Sequence, residues 1–257
     1  MALSICTYSF IPLRAEPSER SEMVSQILFG DVFEIVGIED NWADVICRFD
    51  KYRGWIDKKL IENIPAPEAE QWCDSDKWIV PHPFVEVVCE PSKHKLLVPG
   101  GGAIVFNGSD SNSFYIGKNE YYLASGKKKE IDRKNIGDIA RAFINSPYLW
   151  GGKTFMGIDC SGFTQVVNRI AGIDLPRDAS QQVALGTTIS FVEEAVPGDL
   201  AFFDNEEGSI THVGICLGGG EIIHASGSVR IDRLDHIGIY NVSKGTYSHK
   251  LRVIKRL

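Results

Sequence analysis

Apolar spacing along the chain passes through two regimes. Over residues 23–29 an apolar-rich run closes on Gly30 and Asp31, and Val32, Glu34 and Val36 then alternate with Phe33, Ile35 and Gly37. Residues 41–47 and 52–56 continue the pattern. Period two with turn residues at regular intervals predicts short strands and a small barrel over 1–63. Residues 64–71, Ile-Pro-Ala-Pro-Glu-Ala-Glu-Gln, read as a linker by composition. A second β-rich segment over 64–130 follows, with strands at 84–88, 95–98, 103–106 and 121–123, glycine turns at 100–102 and 107–108, and a polar exit at 125–130. From 131 the period changes. Ile136, Ile139, Ala140 and Phe143 mark a helix closed by Pro147. Phe163, Val166, Val167 and Ile170 recur at i, i+3, i+4 and i+7, one face of a second helix. Asp159 is its N-cap and Gly172 its stop. Another helix starts within 175–182. Residues 196–203 read as a turn into a strand, 212–217 and 221–224 as a hairpin around Gly218, Gly219 and Gly220, and 251–254 as a last strand. Helices ahead of an antiparallel sheet make an α+β domain over 131–257.

Composition narrows the function classes. The 257 residues are 44% hydrophobic and 24% charged, as in ordinary globular proteins. The net charge of -7 has no basic stripe beside it; Lys127 to Lys129 read as a solvated turn. Neither nucleic acid nor anionic membrane is expected as a partner. No apolar window is long enough for a transmembrane helix. The first eight residues lack a basic region followed by an apolar core, so no signal peptide is expected. The six cysteines, at 6, 47, 73, 89, 160 and 216, contain no CxxC pair. Clustered zinc ligands and a disulfide framework are both unexpected, as is any cofactor. Reduced thiols in a cytoplasmic protein fit this spacing.

The candidate chemistry centres on Cys160. A glycine-rich, aromatic-flanked loop delivers it to the first turn of the second helix. The positive end of the helix dipole there is expected to stabilise a thiolate. Alone, Cys160 reads equally well as a small core cysteine. His212 and His224 lie 12 positions apart across the glycine turn. They share a face of the hairpin if its loop count is odd, and point to opposite faces if it is even. Each histidine alone reads as a half-buried strand residue. Together the three supply a nucleophile, a base and a group that orients the base. His212 would take the thiol proton, His224 would fix its tautomer, and the Cys160 N–H with another loop donor would hold the oxyanion.

These pieces resemble the NlpC family of bacterial cell-wall cysteine peptidases. The matching residues are Tyr148, Trp150, Gly151 and Gly152; Asp159-Cys160-Ser161-Gly162; Leu175-Pro176-Arg177 with Ser180 and Gln181; Pro197-Gly198-Asp199-Leu200; His212-Val213-Gly214; and Ile223-His224-Ala225. Leu13, Arg14, Pro17, Phe29-Gly30, Asn41-Trp42 and Tyr52-Arg53-Gly54-Trp55 resemble the bacterial SH3-like domain. The resemblance implies an α+β, papain-like peptidase domain at 131–257 preceded by two small SH3-like β-barrels, at 1–63 and 64–130. It implies the catalytic set Cys160, His212 and His224, with no metal. It also implies cleavage of murein peptides between γ-D-glutamate and a diamino acid, here as removal of L-Ala-γ-D-Glu from free peptides during cell-wall recycling. A free amine needs a carboxylate, for which Asp159 is the first candidate, with Glu22 and Tyr52 completing the pocket. Ser161, Ser180 and Arg177 are candidates for the glutamate α-carboxylate. The alternatives are an endopeptidase on intact murein, a non-catalytic murein-peptide binding protein, and an amidase or acyltransferase using the same thioester.

Overall fold

Alternation in the first sixty residues does become strands. In the computed structural model, which describes residues 2–257 apart from 82, 109, 110, 126, 127, 129–131 and 133, the chain begins with β1 (Ala2–Ile5), β2 (Phe10–Arg14), β3 (Met23–Leu28), β4 (Val32–Glu39), β5 (Trp42–Cys47) and β6 (Arg53–Asp57). They form one antiparallel sheet in the order β1-β4-β5-β6-β2-β3. Ile11, Leu13, Ile27, Phe33, Ala43, Val45 and Ile56 point inward and build its core.

The proline-rich stretch that follows is a helix rather than a linker. Helix α1 (Ala66–Asp74) starts after Pro65 and carries Pro67 in its first turn. A missing N–H is harmless there, because the first-turn donors have no intrahelical partner. Ala69 and Trp72 are buried, and Trp72 Nε1 donates to the Gly30 carbonyl at 2.9 Å. Next come β7 (Trp78–Ile79), β8 (Phe84–Glu90), β9 (His94–Pro99), β10 (Ala103–Ile104), β11 (Ser113–Ile116) and β12 (Asn119–Leu123). They make a sheet in the order β11-β12-β8-β9 and a ribbon of β10 with β7. Leu3, Ile5, Phe29 and Val32 share one apolar cluster with Trp72, Val87, Phe114 and Tyr121. This shared core is why Met1–Ile131 is one compact unit, where the sequence suggested a division after residue 63. The polar exit and the 130/131 boundary fall largely outside the described residues, as do Lys127 and Lys129.

The second compact unit, Asp132–Leu257, holds α2 (Ile136–Arg141), the short hairpin β13 (Lys153–Thr154) and β14 (Gly157–Ile158), α3 (Cys160–Ala171) and α4 (Ala179–Gln182). Its strands are β15 (Thr187–Ile189), β16 (Leu200–Asp204), β17 (Ile210–Gly218), β18 (Glu221–Ser226), β19 (Ser228–Leu234), β20 (Gly238–Asn241) and β21 (Thr246–Arg256). The sheet runs β15-β21-β16-β17-β18-β19-β20, and β20 also pairs with β21, so the strands from β16 to β21 close into a ring. Ala201, Phe203, Cys216, Ile222, Leu234, Ile239 and Ile254 cluster in its core.

Helix α3 packs on β17 and β18. The predicted apolar face, Phe163, Val166, Val167 and Ile170, is buried, but so are Thr164, Gln165 and Asn168. Their donors are taken up internally: Thr164 Oγ1 donates to Gln182 Oε1 at 2.7 Å, Gln165 Nε2 to the Leu175 carbonyl at 2.9 Å and Asn168 Nδ2 to the Thr164 carbonyl at 2.8 Å. The helix is therefore a central element, with polar residues binding it to the loop that carries Arg177. No helix among the described residues is long and apolar enough to cross a membrane.

Candidate active site

Cys160 is the first residue of α3. Asp159 caps the helix by accepting from the Gly162 N–H at 2.6 Å, and Gly172 ends it with a left-handed φ of 91°. The loop reaches this position through glycine contacts. A Cβ on Gly162 would lie 2.3 Å from the Gly152 carbonyl oxygen, so only glycine lets the loop lie against the first turn. The Cys160 sulfur receives the backbone N–H of Val213, which sets it against β17 one residue from His212.

Burial reverses the expected thiolate. It pushes the Cys160 thiol up to about 11, and Asp159 acts in the same direction. The Val213 and Ser161 N–H groups and the Arg177 guanidinium pull back without overcoming it. Burial likewise lowers His212 well below the usual imidazole range, helped by His249 and His224. Burial thus disfavours the charged form of both groups.

The two histidines share a face because of a bulge. The β17–β18 turn proper is Gly219-Gly220, an even count that alone would set them on opposite faces. A register shift between Cys216 and Gly218 leaves Leu217 as an extra residue, so His224 pairs with Gly214 and lies diagonal to His212. A side chain at 214 would place its Cβ 2.8 Å from His224 Cβ, so this glycine makes room for the second histidine. His212 Nε2 and His224 Nδ1 are 2.8 Å apart, which leaves His212 Nδ1 for the thiol.

Three further residues stand at the site that were not among the catalytic or substrate candidates. Asp232 on β19 lies 3.2 Å from His224 Nε2. It is buried, yet its bonds to His224 and Arg230 outweigh burial and hold its carboxyl below the usual range. His249 on β21 stacks on His212, with ring centroids 4.1 Å apart, and burial lowers it to about 4. Tyr148 lies within electrostatic reach of Cys160 and Asp159. Burial raises its phenol to about 12, with Cys160 and Asp159 adding to the rise, so it stands as a protonated donor. Tyr148 was visible as part of the loop motif. Strand alternation gave no signal for Asp232 or His249.

The ligand atoms of His212, His224 and His249 lie within 4.8 Å of one another, the one metal-capable cluster among the described residues. The hydrogen bond between His212 and His224 and the ring stack of His212 on His249 turn these groups toward each other rather than toward a common centre.

The substrate candidates separate. Arg177, at 1% exposure, donates to Asp159 Oδ1 at 3.0 Å and Oδ2 at 2.5 Å and to Ser161 Oγ at 2.8 Å. Gly151 N–H adds a bond to Asp159 Oδ2 at 2.8 Å. With Gly162 N–H and the longer Ser161 hydroxyl contact at 3.4 Å, five donors meet the approximately four acceptor sites of the Asp159 carboxylate. Asp159 and Arg177 are thus committed to each other. Ser180 is exposed on α4. Glu22, exposed, and Tyr52, half-buried against the first core, belong to the first unit.

Comparison with known proteins bears on the family and the fold. Residues 145–254 match the NlpC/P60 family, and residues 13–61 match the bacterial dipeptidyl-peptidase Sh3 domain. The gamma-D-glutamyl-L-lysine dipeptidyl-peptidase of Bacillus subtilis is 35% identical over 255 residues, covering 90% of this chain and 80% of the relative. Dipeptidyl-peptidase 6 of Lysinibacillus sphaericus is 26% identical, covering 87% of this chain and 88% of the relative. A crystal structure of an NlpC/P60 family protein from Bacillus cereus shares the fold over 99% of both chains, with a TM-score of 0.83 at 20% identity. With a thiol at a helix start set against a strand histidine, and sequence similarity running through nearly the whole chain, the protein belongs to the NlpC/P60 family of cysteine peptidases.

Proposed function

We propose that this peptidase removes L-Ala-γ-D-Glu from free murein peptides in the cytoplasm, hydrolysing the bond between γ-D-glutamate and the following diamino acid in cell-wall peptide recycling. The observation that carries the chemistry is the hydrogen-bonded run of His212, His224 and Asp232, with Val213, the residue after His212 on its strand, giving its backbone N–H to the Cys160 sulfur. The bond specificity rests on relatives named for that activity, one of them 35% identical over most of the chain.

His212 Nδ1 takes the thiol proton as Cys160 Sγ attacks the γ-carbonyl carbon. Because burial disfavours both charges, the thiolate forms as the bond forms. The oxyanion is met by the N–H groups at the start of α3, where helix donors have no intrahelical partner, and by the Tyr148 hydroxyl. His212 then gives its proton to the departing amine of the diamino acid as the C–N bond breaks. Water adds to the thioester with His212 again as base, and the thiol is restored as the dipeptide leaves.

The test is hydrolysis of L-Ala-γ-D-Glu-L-Lys, its diaminopimelate counterpart and their N-acetylated forms, with products identified by mass. Release of L-Ala-γ-D-Glu from the free amines is expected. A charge-assisted bond to the ammonium contributes about 1.5–3 kcal/mol, so acetylation should slow the reaction by at least about tenfold. Equal rates on acetylated or N-terminally extended peptides would make the protein an endopeptidase instead.

A further inference from the structure

The hydrogen bond between His212 and His224 can run in either direction. Two neutral imidazoles that share one bond have no preference of their own for which nitrogen carries the proton. Only one direction leaves His212 Nδ1 bare and able to accept from the thiol. In the other, His212 Nδ1 carries a proton toward Cys160 and cannot act as a base. Something beyond the pair has to choose.

We propose that Asp232, clamped by Arg230, is a positioning residue that fixes the tautomers of both histidines and so keeps His212 Nδ1 as the base. The inference rests on the reading of Cys160 and His212 as nucleophile and base. Arg230 Nη2 donates to Asp232 Oδ1 at 2.9 Å, and Arg230 Nε lies 2.7 Å from Oδ2. The Asp232 side chain is 1% exposed. A carboxylate held between guanidinium nitrogens is ionised and can only accept. His224 Nε2, 3.2 Å from Oδ2, must therefore carry a proton. Its Nδ1 is then bare and accepts from His212 Nε2–H at 2.8 Å. His212 Nδ1 is left with a lone pair, able to accept the thiol proton.

The order follows from one charge at the far end of the chain, three side chains from the thiol. The same charge favours the imidazolium that forms on His212 when the thiol proton arrives. The charged and titratable groups around this chain are Arg230 on the same strand, His224 on β18, His212 on β17 and His249 on β21. His249 stacks on His212 and meets His224 edge-on at 5.8 Å. As a neutral ring it leaves Arg230 as the cation paired with Asp232.

The register explains why this carboxylate is in reach. His224 pairs with Arg230, and Asp232 pairs with Ile222. Positions 230 and 232 flank the His224 ring from one face of the neighbouring strand, as diagonal neighbours do.

The experiment reads histidine tautomers directly, by 15N-labelled imidazole NMR on the full chain, together with kcat and KM on L-Ala-γ-D-Glu-L-Lys. In the wild type, His212 and His224 should both show Nε2–H and bare Nδ1. Asp232→Asn can donate an amide N–H to His224 and reverse the chain. A shift of both rings toward Nδ1–H is expected, with kcat lower by about a hundredfold, the upper end for losing an outer partner, and KM within about twofold. The deficit should narrow as pH rises, because a thiolate formed by hydroxide needs no base. Arg230→Gln keeps the carboxylate at the partly exposed end, so it should preserve the wild-type tautomers and lose less turnover. Should Asp232→Asn fail to fold, Arg230→Gln and the wild-type spectrum still decide. Wild-type His212 carrying Nδ1–H overturns the proposal. So does Asp232→Asn with unchanged tautomers and turnover within about threefold of wild type. If the wild type cleaves no γ-glutamyl peptide, the substrate reading fails, while the tautomer pattern still decides the role of Asp232.

Discussion

Replacing Asp159 by asparagine separates two meanings of one carboxylate. By resemblance it holds the substrate ammonium; by geometry it is half of an internal ion pair. Arg177 and Asp159 side chains are 2% and 7% exposed. Asp159→Asn removes one charge and leaves a guanidinium buried and uncompensated, which costs about 3–5 kcal/mol. Asparagine caps a helix about as well as aspartate, so the cap itself adds little. For a unit of this size that loss lowers the melting temperature on the order of 10–20 °C. Differential scanning calorimetry of the full chain reads it, with any transition of the first unit as an internal reference. Below the transition, rates on free and N-acetylated peptides should fall in step. A peptidase-unit transition within about 2 °C of wild type, with activity lost on the free-amine peptide alone, would refute the ion-pair account and return Asp159 to the substrate.

Gly214→Ala should displace His224, because the new methyl meets His224 Cβ and Ile222 Cδ1 at 2.8 Å. Overpacking costs about 1–3 kcal/mol, and turnover should fall about tenfold to a hundredfold from the misplaced imidazole. Normal turnover would show that the strand yields instead. Iodoacetamide at neutral pH should label the half-buried Cys73 and Cys89 before Cys160, with Cys160 labelling rising about tenfold per pH unit as its thiolate grows. First labelling at Cys160, found by peptide mass mapping, would mean a resting thiolate–imidazolium pair. His212 and His249 are lowered by burial, so the unfolded chain takes up protons that the folded chain refuses once pH drops below about 6.5. Their stabilisation is complete above that value and declines toward about 4, where His249 titrates. Urea midpoints at pH 7.5 and 5 should differ less in His249→Phe than in wild type; an equal or larger difference would refute this.

Features carried by local rules were legible in the sequence. The helix of Cys160 announced itself by apolar spacing, an aspartate cap and a glycine stop, and the glycine-centred hairpin by its turn residues. Features that depend on closure of the sheet were not. Asp232 sits in Ser-Val-Arg-Ile-Asp-Arg-Leu, where alternation alone makes it a solvent-facing residue. It is buried because β18 lies alongside. His249 is brought to His212 because β21 pairs with β16 and positions it across Phe203. The bulge at Leu217 set the parity of the histidines, and Gly218 beside it reads equally well as part of the glycine turn. The effect of burial on the thiol was hidden because the dipole can be read from position, whereas desolvation requires the surrounding packing. α1 was mistaken for a linker because its prolines were weighed as breakers rather than as the first turn of a helix.

The ring formed by β20 pairing with β21 has a consequence for how substrate can be held. A strand inside a closed sheet has both neighbours in place, so it offers no open row of amides and carbonyls to a visiting chain. Among the described strands of this unit's sheet, the rim is β15, three residues long. Many peptidases and peptide-binding modules read an extended substrate by adding it as one more strand, a mode that relies on the regular repeat of an α-linked L-peptide. The proposed substrate breaks that repeat at its γ-linked D-residue. A sheet whose rim is three residues long gives up little by lacking that mode, and it offers ordinary polypeptides little backbone to zip onto. Discrimination then falls to the loop and helix start around Cys160, where side chains and single amides judge shape and charge one group at a time.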